Sequence, residues 1–257
     1  MSKGYLVMAQ GKVYANQAEH LARSINRTQS SINKISVITD QEVDKSLFDQ
    51  VIVITDDLAV NTHWKIENRV NFYNLTPYDE TVILDADMLF LSDVSHWWSL
   101  FEKYDLLLTN KVLTYRGTEL VDNYYRKAFV YNYLPNVYSA FTYFNKSKTT
   151  DTFFKLVRSI VLNWNEWTTK YVPVEKQHFP SIDLAMSIAI KILDIEDEVT
   201  CNLQYPTFTH MKGKCQGWTD SVSDWSDVLG VYKTPNEIKL GPFPQTGILH
   251  YVKKDFV

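Results

Sequence analysis

No uninterrupted apolar run in this chain approaches the ~18 residues that a membrane-spanning helix needs, so no membrane span is expected. The opening MSKGYLVMAQGK lacks the long apolar core and small-residue cleavage site of a secretory leader. A basic excess is also missing: 26 Lys and Arg stand against 30 Asp and Glu, a net charge of −4. Chains that chiefly bind nucleic-acid backbone carry the opposite imbalance, so no nucleic-acid partner is expected. Cysteine is scarce. Cys201 and Cys215 are the only two, with no CxxC, and they read as free thiols in a reducing compartment. A cytoplasmic location is the expectation. No internal repeat, low-complexity tract or linker divides the 257 residues. One domain, 1–257, with a substantial core is expected.

Aromatic residues are plentiful at 14%, including 16 Tyr and 7 Trp. Such side chains pair an apolar face with a polar edge, which suits sugar rings and an ordinary core equally. Short β-branched and aliphatic runs are also present. GYLVMA (4–9), ISVITD (35–40) and VIVIT (51–55) read as buried strands. Between the first two, Ala18, Leu21, Ala22 and Ile25 recur at helical spacing within 15–27. Residues 64–74 read as a helix that Pro77 stops, and TVIL (81–84) begins the next strand.

Alternating strands and amphipathic helices predict a single α/β domain with a mainly parallel central sheet flanked by helices. Further on, 95–104 reads as a helix, 105–110 as a strand, and the Tyr-rich 111–135 as an excursion over the active face. Residues 137–145 read as a strand. Residues 149–164 and 181–193 read as helices with Ser/Thr start signals.

The most informative stretch is ETVILDADMLFLSD, 80–93. Asp85 and Asp87 interrupt an apolar run at the expected C-terminal end of a strand, the edge where ligands bind in open α/β sheets. One intervening residue puts both on the same face of an extended chain. Two adjacent carboxylates repel when ionised, and a divalent cation removes the conflict. Mn²⁺ or Mg²⁺ takes oxygen ligands and keeps positions open for phosphate oxygens. A D-x-D arises by chance roughly once in a few hundred residues, so its position at a strand end carries the inference.

The segment WKIENRVNFYNLTPYDETVILDADMLFLSDV resembles the metal-motif region of GT-A glycosyltransferases, and most closely glycosyltransferase family 8. AQGKVYANQAEHLARSI fits the same resemblance, supplying Tyr14 and Ser24-Ile25. The resemblance implies a metal-dependent hexosyl-type transferase. It would use a nucleotide-sugar donor, UDP-sugar favoured, and an unspecified glycan, protein or small-molecule acceptor, with retention of configuration. Residues 1–110 would form the donor and metal half, and 111–257 the acceptor half.

Carried over residue by residue, Asp85 and Asp87 would hold Mn²⁺ or Mg²⁺. Tyr14 would stack on the base. Arg69, with Lys65 one turn earlier on the same helix, would face the donor sugar or phosphates. Asp40 at the end of ISVITD would face the nucleotide, although a turn role fits it as well. Asp183 matches the second acidic motif and would lie near the anomeric centre as the catalytic residue. The family's DQD reads SID here, which puts retention in doubt, and a carboxylate in a first helical turn also stabilises the helix start.

The late metal-binding His has two partial matches. HMKGKCQGW offers His210, Gly213 and Trp218 at the right spacing, and HYVKKDF offers His250 with Lys253 nearby; one of the two His is expected as third ligand. Lys253 would hold the leaving diphosphate as a point charge. His20, His63, His96 and His178 have no ligand-like context, and Trp97 and Trp98 read as core.

Two other classes fit less well. A phosphotransferase or phosphatase with a nucleophilic first Asp would carry its DxD on the first strand. A nucleotidyltransferase would need more than the single Gly of AQGKVYAN. A non-catalytic nucleotide-sugar-binding relative would share every residue above.

Overall fold

The computed structural model describes residues 1–257 apart from 56, 60–64, 121–125, 202–204, 213–223 and 235–236. Along the chain, β1 (Lys3–Ala9), α1 (Lys12–Thr28), β2 (Ile35–Thr39) and β3 (Gln50–Val53) come first. Then follow α2 (Phe72–Leu75), β4 (Glu80–Leu84), β5 (Met88–Phe90), α3 (Trp98–Phe101) and β6 (Leu106–Thr109). Next are α4 (Lys127–Tyr131), β7 (Tyr138–Asn145), α5 (Lys148–Leu162), α6 (Trp164–Tyr171), α7 (Ile182–Leu193) and α8 (Glu196–Val199). The last part holds β8 (Thr209–His210), β9 (Val231–Lys233), β10 (Ile238–Leu240), β11 (Phe243–Pro244) and β12 (Ile248–His250).

Six strands form the central sheet in the order β3-β2-β1-β4-β7-β6. The run β3-β2-β1-β4 is parallel, and β7 lies antiparallel between β4 and β6. Alternate residues point to opposite faces of a strand, and β1 uses both. Tyr5, Val7 and Ala9 pack with Leu21, Ala22 and Ile25 of α1. Leu6 packs on the other side with Phe153 and Val157 of α5 and Leu184 and Ile188 of α7. Gly4 makes room for a close crossing: a Cβ there would sit 2.4 Å from Cζ of Tyr78.

The chain runs outward from β1 to β2 and β3, then returns to place β4 on the other flank of β1. That reversal leaves a crevice beyond the carboxyl ends of β1 and β4, the point at which open α/β sheets take ligands. Register sets Val7 beside Leu84, so Ala9–Gln10 and Asp85–Asp87 emerge together. A second, three-stranded sheet runs over this edge: β12 pairs antiparallel with β5 and parallel with β8. A third joins β9, β10 and β11.

Three predicted helices differ in detail. The stretch read as 64–74 is a 3-10 turn, Ile66–Asn71, followed by the single turn of α2, and residue 64 lies outside the described residues. Asn68 accounts for the departure. Its Oδ1 accepts the Leu58 N–H (2.8 Å) and its Nδ2 donates to Asp57 Oδ1 (2.6 Å) and Gln10 Oε1 (2.7 Å), a side-chain alternative to regular helix. The 95–104 helix is a 3-10 turn, Ser95–Trp97, plus α3. The 149–164 helix starts at Lys148 because Ser147 and Thr150 form a capping box. Trp97 and Trp98 are core, as read. Cys201 is buried and in no disulfide with a described residue, and Cys215 lies outside the described residues. Among the described residues no helix is long and apolar enough to cross a membrane.

Candidate functional site

Two backbone bonds fix the aspartate pair where β4 ends. Asp85 N–H donates to Ala140 O of β7 (3.1 Å), and Asp87 O accepts the Tyr251 N–H (3.1 Å) just past β12. The pairing of β12 with β5 sets His250 opposite Met88. His250 Nε2 is then 3.1 Å from Asp87 Oδ1 and 3.8 Å from Asp85 Oδ2. One ligand atom each from Asp85, Asp87 and His250 lie within 4.8 Å of one another. Arg69 Nη2 donates to Asp85 Oδ1, while its buried Nε has no acceptor.

Two carboxylates and one imidazole nitrogen, converging at an open crevice, fit a hard-to-borderline divalent cation such as Mn²⁺ or Mg²⁺. Three protein donors leave further coordination positions for ligand oxygens.

Local electrostatics follow from burial and the pair itself. Burial alone would push the Asp87 carboxyl up, but the charge and hydrogen bond of His250 outweigh it and hold Asp87 below the usual range. Burial opposes the charged form of His250, and Asp87 overcomes this to lift it above its ordinary value. Burial, with the charges of Asp87 and Asp85, raises the Tyr14 phenol.

Behind His250 stands His210. Opposite one another in the β8–β12 register, the rings meet with Nδ1 to Nδ1 at 3.1 Å. His210 is not in the three-residue group. Burial, then the neighbouring His250, pushes His210 down to about 3, so it is neutral. The rest of its predicted motif, Gly213 and Trp218, lies outside the described residues, as does His63.

The cavity at this crevice measures about 360 Å³. Tyr14, Lys65, Arg69 and Asp183 line it, together with Asp85, Asp87, His210 and His250. Lys65 is not one helical turn before Arg69: it precedes the 3-10 turn in a left-handed conformation, φ 54. Its Nζ donates to Ala59 O (2.6 Å) and lies 3.8 Å from Asp57 Oδ2. Asp183 is the second residue of α7, whose cap is Ser181. Its Oδ1 accepts Ser139 N–H (2.9 Å) and Oγ–H (2.5 Å), and its Oδ2 accepts from Arg126 Nη1 (2.6 Å). Arg126 leads these bonds in holding the Asp183 carboxyl low, against burial that would raise it.

Two predicted donor contacts fall elsewhere. Asp40 Oδ1 accepts the Gly11 N–H (2.8 Å) and a Gln41 Nε2 hydrogen (3.1 Å), which makes it a loop-closing residue outside the cavity. Lys253 is also outside, since Asp224 Oδ2 (2.8 Å) and Ser226 Oγ (2.6 Å) draw its Nζ away.

Sequence reasoning missed Arg126. It lines the cavity, is 4% exposed, and lies over the rings of Phe129 (3.8 Å) and Tyr138 (4.3 Å). Its Nε donates to Asn136 Oδ1 (2.7 Å) and its Nη2 to Val137 O. A lone Arg in a weakly periodic stretch carried no spacing signal. Gln10 was missed too: it lines the cavity, and its Oε1 accepts from Asn68 Nδ2 (2.7 Å).

No protein-family model matches the chain, and no curated protein matches it in sequence. Solved structures do match. Mouse xyloside xylosyltransferase 1, in its apo form, superposes with a TM-score of 0.56 at 13% identity, covering 100% of both chains. The glycosyltransferase GlyE of Streptococcus pneumoniae superposes with a TM-score of 0.51 at 15% identity, over 99% of this chain and 55% of GlyE. The chain thus spans about half of GlyE. At these identities the likeness is one of architecture: this chain has the α/β fold, with its mainly parallel sheet between helices, that these two glycosyltransferases share.

Proposed function

We propose that this chain is a metal-dependent glycosyltransferase of the GT-A type, moving a sugar from a nucleoside-diphosphate donor to an acceptor. The observation that carries the reading is the convergence of Asp85, Asp87 and His250 at the β1–β4 switch point, beside Arg69 and inside the cavity. That two solved structures of this fold are glycosyltransferases supports it.

In this reading Asp85, Asp87 and His250 would hold Mn²⁺ or Mg²⁺. The bound cation supplies Lewis-acid stabilisation of the negative charge that builds on the leaving diphosphate. Arg69 is shared between Asp85 and the donor, with its unpartnered Nε available to a phosphate or sugar oxygen. Tyr14, half-buried on the first turn of α1, offers a ring face to the nucleotide. Asp183 acts as a fixed hydrogen-bond acceptor for the sugar, because Arg126 and Ser139 engage both of its oxygens and orient it. The donor is a UDP-sugar, the 111–257 half receives the acceptor, and configuration is retained.

The test is release of nucleoside diphosphate from a panel of nucleotide sugars, with Mn²⁺ and with chelator. Metal-dependent release that both Asp85→Asn and Asp87→Asn abolish supports the reading. Release of inorganic phosphate would move the assignment to a phosphotransferase. Binding without any turnover would make the protein a sugar-nucleotide binder. NMR of the anomeric proton in the product tests retention.

A further inference from the structure

His210 and His250 form a contact behind the metal trio whose role rests on the metal-dependent reading above. Both rings are buried, at 7% and 6% exposure, and backbone pairing clamps them from two sides. His210 N–H donates to Leu113 O (2.9 Å), and Met211 N–H donates to His250 O (2.9 Å). The His210 ring packs edge-on against Tyr138 (centroids 5.7 Å) and Phe208 (5.8 Å), which leaves little room to rotate. The two Nδ1 atoms stand 3.1 Å apart. Two imidazole nitrogens this close are in a favourable contact only when one carries the hydrogen and the other presents a lone pair.

His250 turns Nε2 toward Asp87 and Asp85. To offer a lone pair there, a neutral imidazole must keep its hydrogen on Nδ1. That hydrogen needs an acceptor, and the atom in place is Nδ1 of His210. We propose that His210 is a positioning residue that accepts the Nδ1 hydrogen of His250 and so fixes the tautomer and ring plane in which Nε2 binds a divalent cation. His210 does not touch the cation; it acts through His250. Carboxylates and carbonyls commonly fill this supporting role for metal-bound histidines, and losing such a partner costs roughly 10- to 100-fold in metal affinity.

The experiment compares His210→Phe with His210→Asn in the full chain. Phe keeps a ring against Tyr138 and Phe208 but has no acceptor, whereas Asn restores an acceptor oxygen with poorer packing. Calorimetric titration with Mn²⁺ and Mg²⁺ should show His210→Phe weakened roughly 10- to 100-fold, with His210→Asn recovering part of the loss. A packing role would give the reverse order, and that result, or unchanged affinity in both, overturns the proposal. Nitrogen-15 NMR of the Mg²⁺-loaded native protein provides a readout without any substitution. The His250 hydrogen should lie on Nδ1, and finding it on Nε2 overturns the proposal. If the native protein binds neither cation, the metal-dependent reading falls and this role falls with it. Cation binding that is indifferent to His210 removes this role alone.

Discussion

Arg126→Leu is the substitution that probes most directly how the cavity holds its shape. The guanidinium is nearly inaccessible and serves three acceptors at once, Asp183, Asn136 and the Val137 carbonyl, while lying over two aromatic rings. Leucine fills much of the volume but strands the Asp183 carboxylate, leaving it only the Ser139 bonds. Breaking a buried ion pair from one side costs about 3–5 kcal/mol. The Asp183 side chain is 26% exposed, so water screens part of the pair and a loss of about 3 kcal/mol is expected. For a chain of this size that corresponds to a fall in Tm of roughly 6–12 °C. Urea unfolding of Arg126→Leu, Asp183→Ala and the double variant closes a double-mutant cycle, with an expected coupling of about 2 kcal/mol. A single-variant loss below about 1 kcal/mol, or additive losses, would refute the view of Arg126–Asp183 as a buried strut.

Four shorter predictions follow. Because Asp87 lifts His250 above its ordinary value, a cation must displace a proton from His250 at lower pH; Mn²⁺ affinity should climb about tenfold per pH unit there and level off above the raised value, as calorimetry across pH 5.5–8.5 would reveal (about 6.5 is the ordinary midpoint). The same linkage runs the other way without metal: the His250–Asp87 pair contributes fully below the unfolded histidine value, and its stabilisation fades as pH rises through the folded one, so metal-free Tm should drift down over that window. Gly4→Ala should destabilise by about 1–3 kcal/mol, since the new methyl meets the ring of Tyr78, which Ser36 Oγ holds at 2.7 Å; equal stability in urea would mean that the ring yields freely. Lys253→Ala should leave nucleoside-diphosphate affinity unchanged, because Asp224 and Ser226 hold that ammonium outside the cavity, and a marked loss would return Lys253 to the donor site.

What was legible in the sequence was local. The apolar run TVIL and the position of Asp85 and Asp87 beyond it are properties of one strand, and the sheet places them where that pattern implies. Which of His210 and His250 stands beside Asp85 and Asp87 was not local. It depends on β12 pairing with β5 rather than β8 taking that edge, a contact between segments about 160 residues apart that no spacing rule encodes. Arg126 was invisible for the same reason: its meaning comes from Asp183, 57 positions on. Lys65 shows the opposite failure, in which periodicity suggested helix and the side-chain bonding of Asn68 preferred a tighter turn. Asp40 matched a turn residue as well as a ligand, and its bond from Gly11 N–H is a contact that spacing did not show.

The three-residue strand β12 has a consequence for how the molecule comes together. The bond from His250 to Asp87 spans 163 positions, so it closes a loop of well over half the chain. Closure entropy grows only slowly with loop length, which makes one long clasp an efficient brace for the unfolded-to-folded transition. An ion gripped by those same side chains would add mass-action stabilisation to the clasp. Cation concentration would then set how tightly the late-made segment is fastened to the early-made sheet, and a ligand needed for chemistry would double as a rivet for assembly.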